Sequence, residues 1–317
     1  MTSLYQAKRH STSSYWAVRQ LQYHVRTWGE PKPQEAPWVM LHGWMDVGAS
    51  FQFVVDQLEG DPFVVAPDWR GFGLTQDTHH DHFTFPDYLC DLDCLLDTLQ
   101  NQYGHTRFKL IGHSMGGNVA TLYAGLQSER VQKLVNLEGF GMPPTQPTMA
   151  PERLRRWMKE VKSLNEGTLA LRGYASAHEV AKRLMKTNPR LPLDKALWLA
   201  EHWAQPDSQG QWSILGSAAH KIVSAHLYQA NEVRSVMQCI TAPTLCVHTQ
   251  DLELFKRWGA MYTFEQYLER MSVIPSLKHE EIAQASHMLH HDQPKVLADL
   301  LTHFLDDSFA PNWERAQ

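Results

Sequence analysis

The stretch Phe108-Lys109-Leu110-Ile111-Gly112-His113-Ser114-Met115-Gly116-Gly117 decides how this chain is read. A short apolar run leads directly into Gly112-x-Ser114-x-Gly116, a spacing that predicts a serine on a sharp turn between a strand and a helix. Such a turn crowds the backbone, and glycines two residues to either side relieve the contacts. The serine hydroxyl is pushed outward, away from the fold. Ser114 is therefore a candidate nucleophile, and because a five-residue string recurs by chance, the flanking sequence has to supply the rest of a site.

Upstream, Trp38-Val39-Met40-Leu41 and Phe63-Val64-Val65-Ala66 are continuous apolar runs, the pattern of strands covered on both faces. The first closes in His42-Gly43-Trp44-Met45-Asp46, the second in Asp68-Trp69-Arg70-Gly71-Phe72-Gly73. A modest helix is expected from Ser50 to about Leu58. Phe85, Tyr88, Leu89, Leu92, Leu95, Leu96 and Leu99 recur at helical spacing and lead into the Phe108 strand. Val18 to Trp28 alternates imperfectly and predicts a half-exposed antiparallel edge strand, with the residues up to about Tyr15 loosely held. Downstream, a helix over Gly117 to Gln127 is followed by a strand from Val131 to Leu137 that ends in Glu138-Gly139-Phe140-Gly141.

Strands alternating with helices predict a parallel, doubly wound sheet. From Pro143 to about Met237 the alternation stops, with helical patterns, Pro and Gly punctuation and no convincing strand. It resumes with the strand Pro243 to His248, a helix around Phe255 to Arg270, a weak strand near Glu280 to Ala283 and a last helix from Pro294 to Phe304. The expected organisation is a core of residues 1–142 and 238–317 carrying a helical cap, residues 143–237, over the strand ends.

With 43% hydrophobic and 20% charged residues, the composition is that of an ordinary globular protein. Lys and Arg total 29 against 34 Asp and Glu, a formal charge of −5 that would repel a polyanion, so no nucleic-acid partner is expected. The first residues lack a signal-peptide core and no apolar run approaches a membrane span, which predicts a cytoplasmic protein. Four cysteines without a Cys-x-x-Cys pair fit a reducing compartment, and Cys90 and Cys94, one helical turn apart, read as packing residues. Asp77-Thr78-His79-His80-Asp81-His82 reads as a surface loop rather than a ligand set, and Asp68 as a turn-stabilising residue with Arg70 as its partner.

In an open α/β sheet, ligands bind beyond the carboxyl ends of the strands, where all these unusual residues fall. A serine hydroxyl needs a base within hydrogen-bond reach, and His287, just after the last predicted strand, is the candidate. His290 and His291 fall towards the final helix and read as surface residues. An oxyanion formed on attack needs two donors, for which the backbone N–H groups of Met115 and Trp44 are the candidates.

His42-Gly43-Trp44, Asp68-Trp69-Arg70-Gly71-Phe72-Gly73, Gly112-His113-Ser114-Met115-Gly116-Gly117 and Ser286-His287-Met288, in this order, resemble the α/β-hydrolase fold family. The likeness covers roughly residues 20–140 and 240–305. It implies a mostly parallel eight-stranded sheet flanked by helices, a Ser-His-acid triad without metal or organic cofactor, and hydrolysis of esters, amides or related bonds. The Glu138-Gly139-Phe140-Gly141 turn is similar to that of bacterial serine hydrolase-like esterases. The family usually places its acid after the seventh strand, which here points to Asp251, although its commonest turn would put the acid where this chain has Leu252. Some lipases of the fold use the end of the sixth strand, where this chain has Glu138, so both carboxylates stay open. The resemblance implies a serine hydrolase acting on a small or medium, largely apolar ester or thioester. An acyltransferase variant and a weakly catalytic or ligand-sensing protein on the same fold are the alternatives. Oligomeric state is not legible.

Overall fold

The computed structural model describes residues 4–77 and 80–306. Its strands, in chain order, are β1 (Thr12–Val18), β2 (Leu21–Trp28), β3 (Trp38–Leu41), β4 (Val64–Pro67), β5 (Phe108–His113), β6 (Val131–Leu137), β7 (Gly173–Tyr174), β8 (Ala204–Pro206), β9 (Trp212–Ile214), β10 (Thr244–Thr249) and β11 (Leu277–Ile282). Eight of them form one sheet in the order β1-β2-β4-β3-β5-β6-β10-β11. Only β2 runs against its neighbours; every pair from β4 to β11 is parallel. The expected mostly parallel sheet flanked by helices is thus present.

The apolar strand runs behave as a sheet covered on both faces requires. In β3, Val39 and Leu41 join one buried cluster with Leu92, Leu96, Val119 and Ala120, while Trp38 and Met40 join another with Leu297 and Leu301. That period of two sends alternate residues to opposite helical layers. Helix Phe85–Tyr103 is bounded by a Thr84–Asp87 capping box and by Gly104 at φ +78°, which ends it in the left-handed region.

The amino-terminal expectation is corrected by a hairpin. β1 is the sheet edge and begins at Thr12, where loose chain was expected, and Trp16 and Val18 are buried. β2 pairs on both sides. The expected helix from Ser50 is a 3-10 turn, Gly48–Phe51, continued by one α turn, Gln52–Val55. The helix expected over Phe255 to Arg270 is two, Glu253–Trp258 and Phe264–Met271, because Gly259 takes φ +55° and Thr263 caps the second. Cys90 is exposed and Cys94 half-buried, so only the latter packs.

Between β6 and β10 the chain forms helices Ala150–Asn165, Ala177–Thr187, Leu193–Trp203 and Ala230–Met237. It also forms a small antiparallel sheet, β7-β9-β8, where no strand was expected; strands of two or three residues are too short for a periodicity to show. Val180, Leu184, Leu191 and Leu199 of this segment pack on Val47, Ala49 and Phe53, which follow β3. Among the described residues no helix is long and apolar enough to cross a membrane.

Candidate active site

β5 ends at His113, and helix Met115–Leu126 begins two residues later, so Ser114 alone makes the turn. Its backbone sits at φ +51°, ψ −113°, a strained conformation for a residue with a Cβ. The surrounding glycines explain how the strain is held. A Cβ on Gly112 would lie 2.3 Å from the Gly116 carbonyl oxygen, and one on Gly116 would lie 2.1 Å from the Leu41 oxygen. Neither backbone atom can swing aside. The Ser114 N–H is tied to the Leu137 carbonyl at 2.8 Å, which anchors the turn to β6.

The next strand end carries Glu138, also at positive φ, +56°. Its side chain is 2% exposed, and its Oε1 accepts from the Thr249 N–H at 2.7 Å and the Thr249 hydroxyl at 2.9 Å. Its Oε2 lies 2.9 Å from Nδ1 of His287, whose Nε2 lies 2.9 Å from the Ser114 hydroxyl. A continuous hydrogen-bonded chain therefore joins carboxylate, imidazole and serine. With Nδ1–H donating to Glu138, Nε2 is left free to accept from Ser114.

Two side chains, Asp292 and His113, hold the His287 turn. Asp292 Oδ2 accepts from both the N–H and the hydroxyl of Ser286, at 2.8 and 2.7 Å, while its other oxygen accepts from Asn188 at 2.8 Å. The His287 carbonyl accepts from Nε2 of His113 at 2.7 Å. Burial pushes the His113 pKa well down, so its ring stays neutral and its donor nitrogen is fixed by that carbonyl. His42 is likewise held neutral by burial; its Nδ1 donates to the Gly43 carbonyl at 2.7 Å and its Nε2 accepts from the Trp69 N–H at 2.8 Å.

The structure does not bring Asp251 to this chain. That residue lies two positions beyond β10, a third exposed, and pairs with Arg190 at 3.0 Å. Leu252 turns into the left-handed region at φ +45°, and the Arg190 guanidinium, distant in sequence, holds the carboxylate. Glu138 occupies the position at His287 Nδ1.

Met115 opens its helix, so its N–H has no carbonyl one turn earlier to bond, and the helix dipole adds positive character there. Gly43, beside Trp44, approaches so closely that a Cβ on it would lie 3.2 Å from the Ser114 Cβ. The Trp44 ring is 53% exposed and donates through Nε1 to the His220 carbonyl at 3.1 Å. His220, from the segment between β6 and β10, stacks between Phe72 and Phe83 at centroid distances of 3.6 and 4.0 Å. A cavity of about 330 Å³ is lined by Gly71, Thr75, Gln205, Leu215 and their neighbours rather than by Ser114 or His287.

Other sequence readings are revised. Asp68 pairs with His24 at 2.8 Å and accepts from the N–H groups of Gly48 and Leu74, whereas Arg70 pairs with Asp91. Of the Asp77–His82 segment, residues 78 and 79 lie outside the described residues; His80 hydrogen-bonds Asp77. His290 and His291, expected at the surface, are 0% and 3% exposed. Their rings pack on Phe51 and Phe53, contacts between distant segments that left no signal in the sequence.

The model of the alpha/beta hydrolase fold matches residues 37–294, and the chain belongs to that family. Among its relatives is a serine hydrolase-like protein of Danio rerio, 26% identical over 286 residues that make up 88% of this chain and 86% of the relative. A serine hydrolase-like protein of Dictyostelium discoideum is 23% identical, covering 91% of this chain and 80% of the relative. The solved thioesterase domain from the curacin biosynthetic pathway superposes with a TM-score of 0.76 at 19% identity, over 92% of this chain and 99% of that one. The naproxen esterase of Bacillus subtilis gives 0.62 at 19% identity, over 94% of this chain and 93% of that one. These likenesses establish the fold.

Proposed function

We propose that the protein is a serine hydrolase that cleaves a small or medium, largely apolar carboxylic ester or thioester through an acyl-enzyme on Ser114. The observation that carries the proposal is the continuous chain Ser114–His287–Glu138, with both links at 2.9 Å. His287 takes the hydroxyl proton as Ser114 attacks the carbonyl carbon, and Glu138 orients the ring and stabilises the imidazolium that forms. The N–H groups of Met115 and Trp44 receive the oxyanion. His287 then protonates the leaving alkoxide or thiolate, and water, deprotonated by the same ring, hydrolyses the acyl-enzyme. Residues 143–237 act as a cap, and their apolar side chains with the exposed Trp44 ring select the acyl group. The serine hydrolase-like, thioesterase and esterase names of the relatives support this class of reaction.

Treating wild type and Ser114→Ala with a fluorophosphonate probe tests the reading. Wild type should be labelled once, at Ser114, and should hydrolyse short p-nitrophenyl esters, while the variant does neither. Absence of both labelling and hydrolysis in the wild type would sink the proposal in favour of a ligand-binding role. Turnover that rises with added alcohol, giving a new ester, would mark acyl transfer instead.

A further inference from the structure

Behind the Ser114–His287 pair lies a second group of chemically active side chains that the proposed reaction does not use. One ring nitrogen of His290, one of His291 and a carboxylate oxygen of Asp46 lie within 4.8 Å of one another, all buried. The hydroxyl of Ser50 sits between the two rings, 2.9 Å from Nε2 of His290 and 2.6 Å from Nε2 of His291. One hydroxyl proton serves only one of these nitrogens, so the other must donate. The remaining polar atoms are left over: Asp46 Oδ2, His290 Nδ1, His291 Nδ1 and, beside them, His113 Nδ1 are buried without a hydrogen-bond partner among the described residues. Of these, the carboxylate oxygen is the costly one, and it faces the Nε2 side of His290, so a group seated between Asp46 and the two Nε2 atoms would satisfy it.

We propose that Asp46, His290 and His291 form a buried binding site for a divalent transition-metal ion of the zinc class. Two imidazoles and a carboxylate are the donor set such ions prefer, whereas magnesium and calcium take oxygen ligands. The spacing fits. Asp46 Oδ2 lies 3.6 Å from His290 Nε2, too far for a hydrogen bond and close to the roughly 3.3 Å that separates two ligands at a tetrahedral ion with bonds of about 2.0 Å. An ion would replace the Ser50 bridge. It would also stiffen the turn that begins at His287, since the His113 ring touches His290 at 4.4 Å between centroids and its Nε2 holds the His287 carbonyl.

The test uses Co²⁺, whose visible absorption reports coordination, on the full-length Ser114→Ala protein so that no signal depends on the hydrolase reading. After prolonged incubation and desalting, one equivalent should be retained, with the absorption of a four- or five-coordinate ion and a raised Tm. Asp46→Asn and His291→Ala should each weaken retention at least about tenfold, while His287→Ala retains the ion. Ser50→Ala, which removes only the bridging hydroxyl, should retain it too. Failure of the parent protein to hold Co²⁺ would overturn the site, and needs no folded variant. Equal retention by parent, Asp46→Asn and His291→Ala would also overturn it, placing the ion on other histidines.

Discussion

Two neighbouring parallel strands, β6 and β10, are each followed by a carboxylate at the same end of the sheet, and the two have been put to different uses. Glu138 follows β6 directly, is sealed from solvent, and has both oxygens engaged, one by Thr249 and one by His287. Asp251 lies two residues past β10, a third exposed, and binds Arg190 from the segment between β6 and β10. The lesson is that a carboxylate is matched to a histidine by where its backbone leaves the sheet and by what fills its remaining lone pairs, more than by which strand carries it. β10 still contributes: its last residue, Thr249, supplies the two donors that hold Glu138 in place.

Replacing the histidine for which the two carboxylates were candidates should have the largest effect: His287→Ala is expected to lower kcat on a p-nitrophenyl ester by about 10⁴ to 10⁶, whichever carboxylate serves it. A loss under tenfold would mean that neither strand end matters to the reaction. Thr249→Val removes the hydroxyl donor to Glu138 but leaves the backbone N–H. A hydrogen bond to a charged group is worth about 1.5–3 kcal/mol, and with one of two donors kept we expect kcat to fall roughly 3- to 10-fold, with KM little changed; an unchanged kcat would show that Glu138 does not need this support.

Acid stability limits the pH at which such variants can be compared. Burial pushes His202 down to about 4 and His220 down to about 3. In the unfolded chain both titrate near about 6.5, so below that pH the unfolded state binds more protons and the fold loses stability, until the folded values are passed. Each contributes a loss of roughly 2 kcal/mol by about pH 4.5. Buried His42, His113 and His291 act in the same direction, and Asp46 and Asp68, held below their ordinary range, add a further loss only below about pH 4. Tm should therefore drop steeply between pH 7 and 4.5, and a flat Tm profile would contradict the buried neutral histidines. The smallest effect belongs to the outer strand end: Arg190→Ala frees Asp251 but should leave kcat within about twofold and cost about 1 kcal/mol or less, as half-exposed ion pairs do.

The parts legible in the sequence are those a local segment dictates. Gly112-x-Ser114-x-Gly116 announces its turn because each glycine is required by backbone atoms within the turn or on the adjacent strand. The apolar runs of β3 to β6 announce a sheet covered on both faces. His287 is legible through its place after the last strand. The choice between Glu138 and Asp251 was not, because it depends on the sideways pairing of β6 with β10 and on Leu252 turning left-handed. The burial of His290 and His291 was hidden for the same kind of reason, since Phe51 and Phe53, far off in sequence, cover them. β1 was hidden by polar residues on its exposed face, and the strands of the insertion by their brevity.

The most direct measurement is the rate of fluorophosphonate labelling of Ser114 in Glu138→Gln and Asp251→Asn, side by side with wild type at pH 7.5. Both substitutions keep shape and remove charge, so they ask only which carboxylate serves His287. The account predicts that Asp251→Asn labels at the wild-type rate while Glu138→Gln is slowed by about 10² to 10⁴. Slow labelling of Asp251→Asn together with a wild-type rate for Glu138→Gln would contradict it.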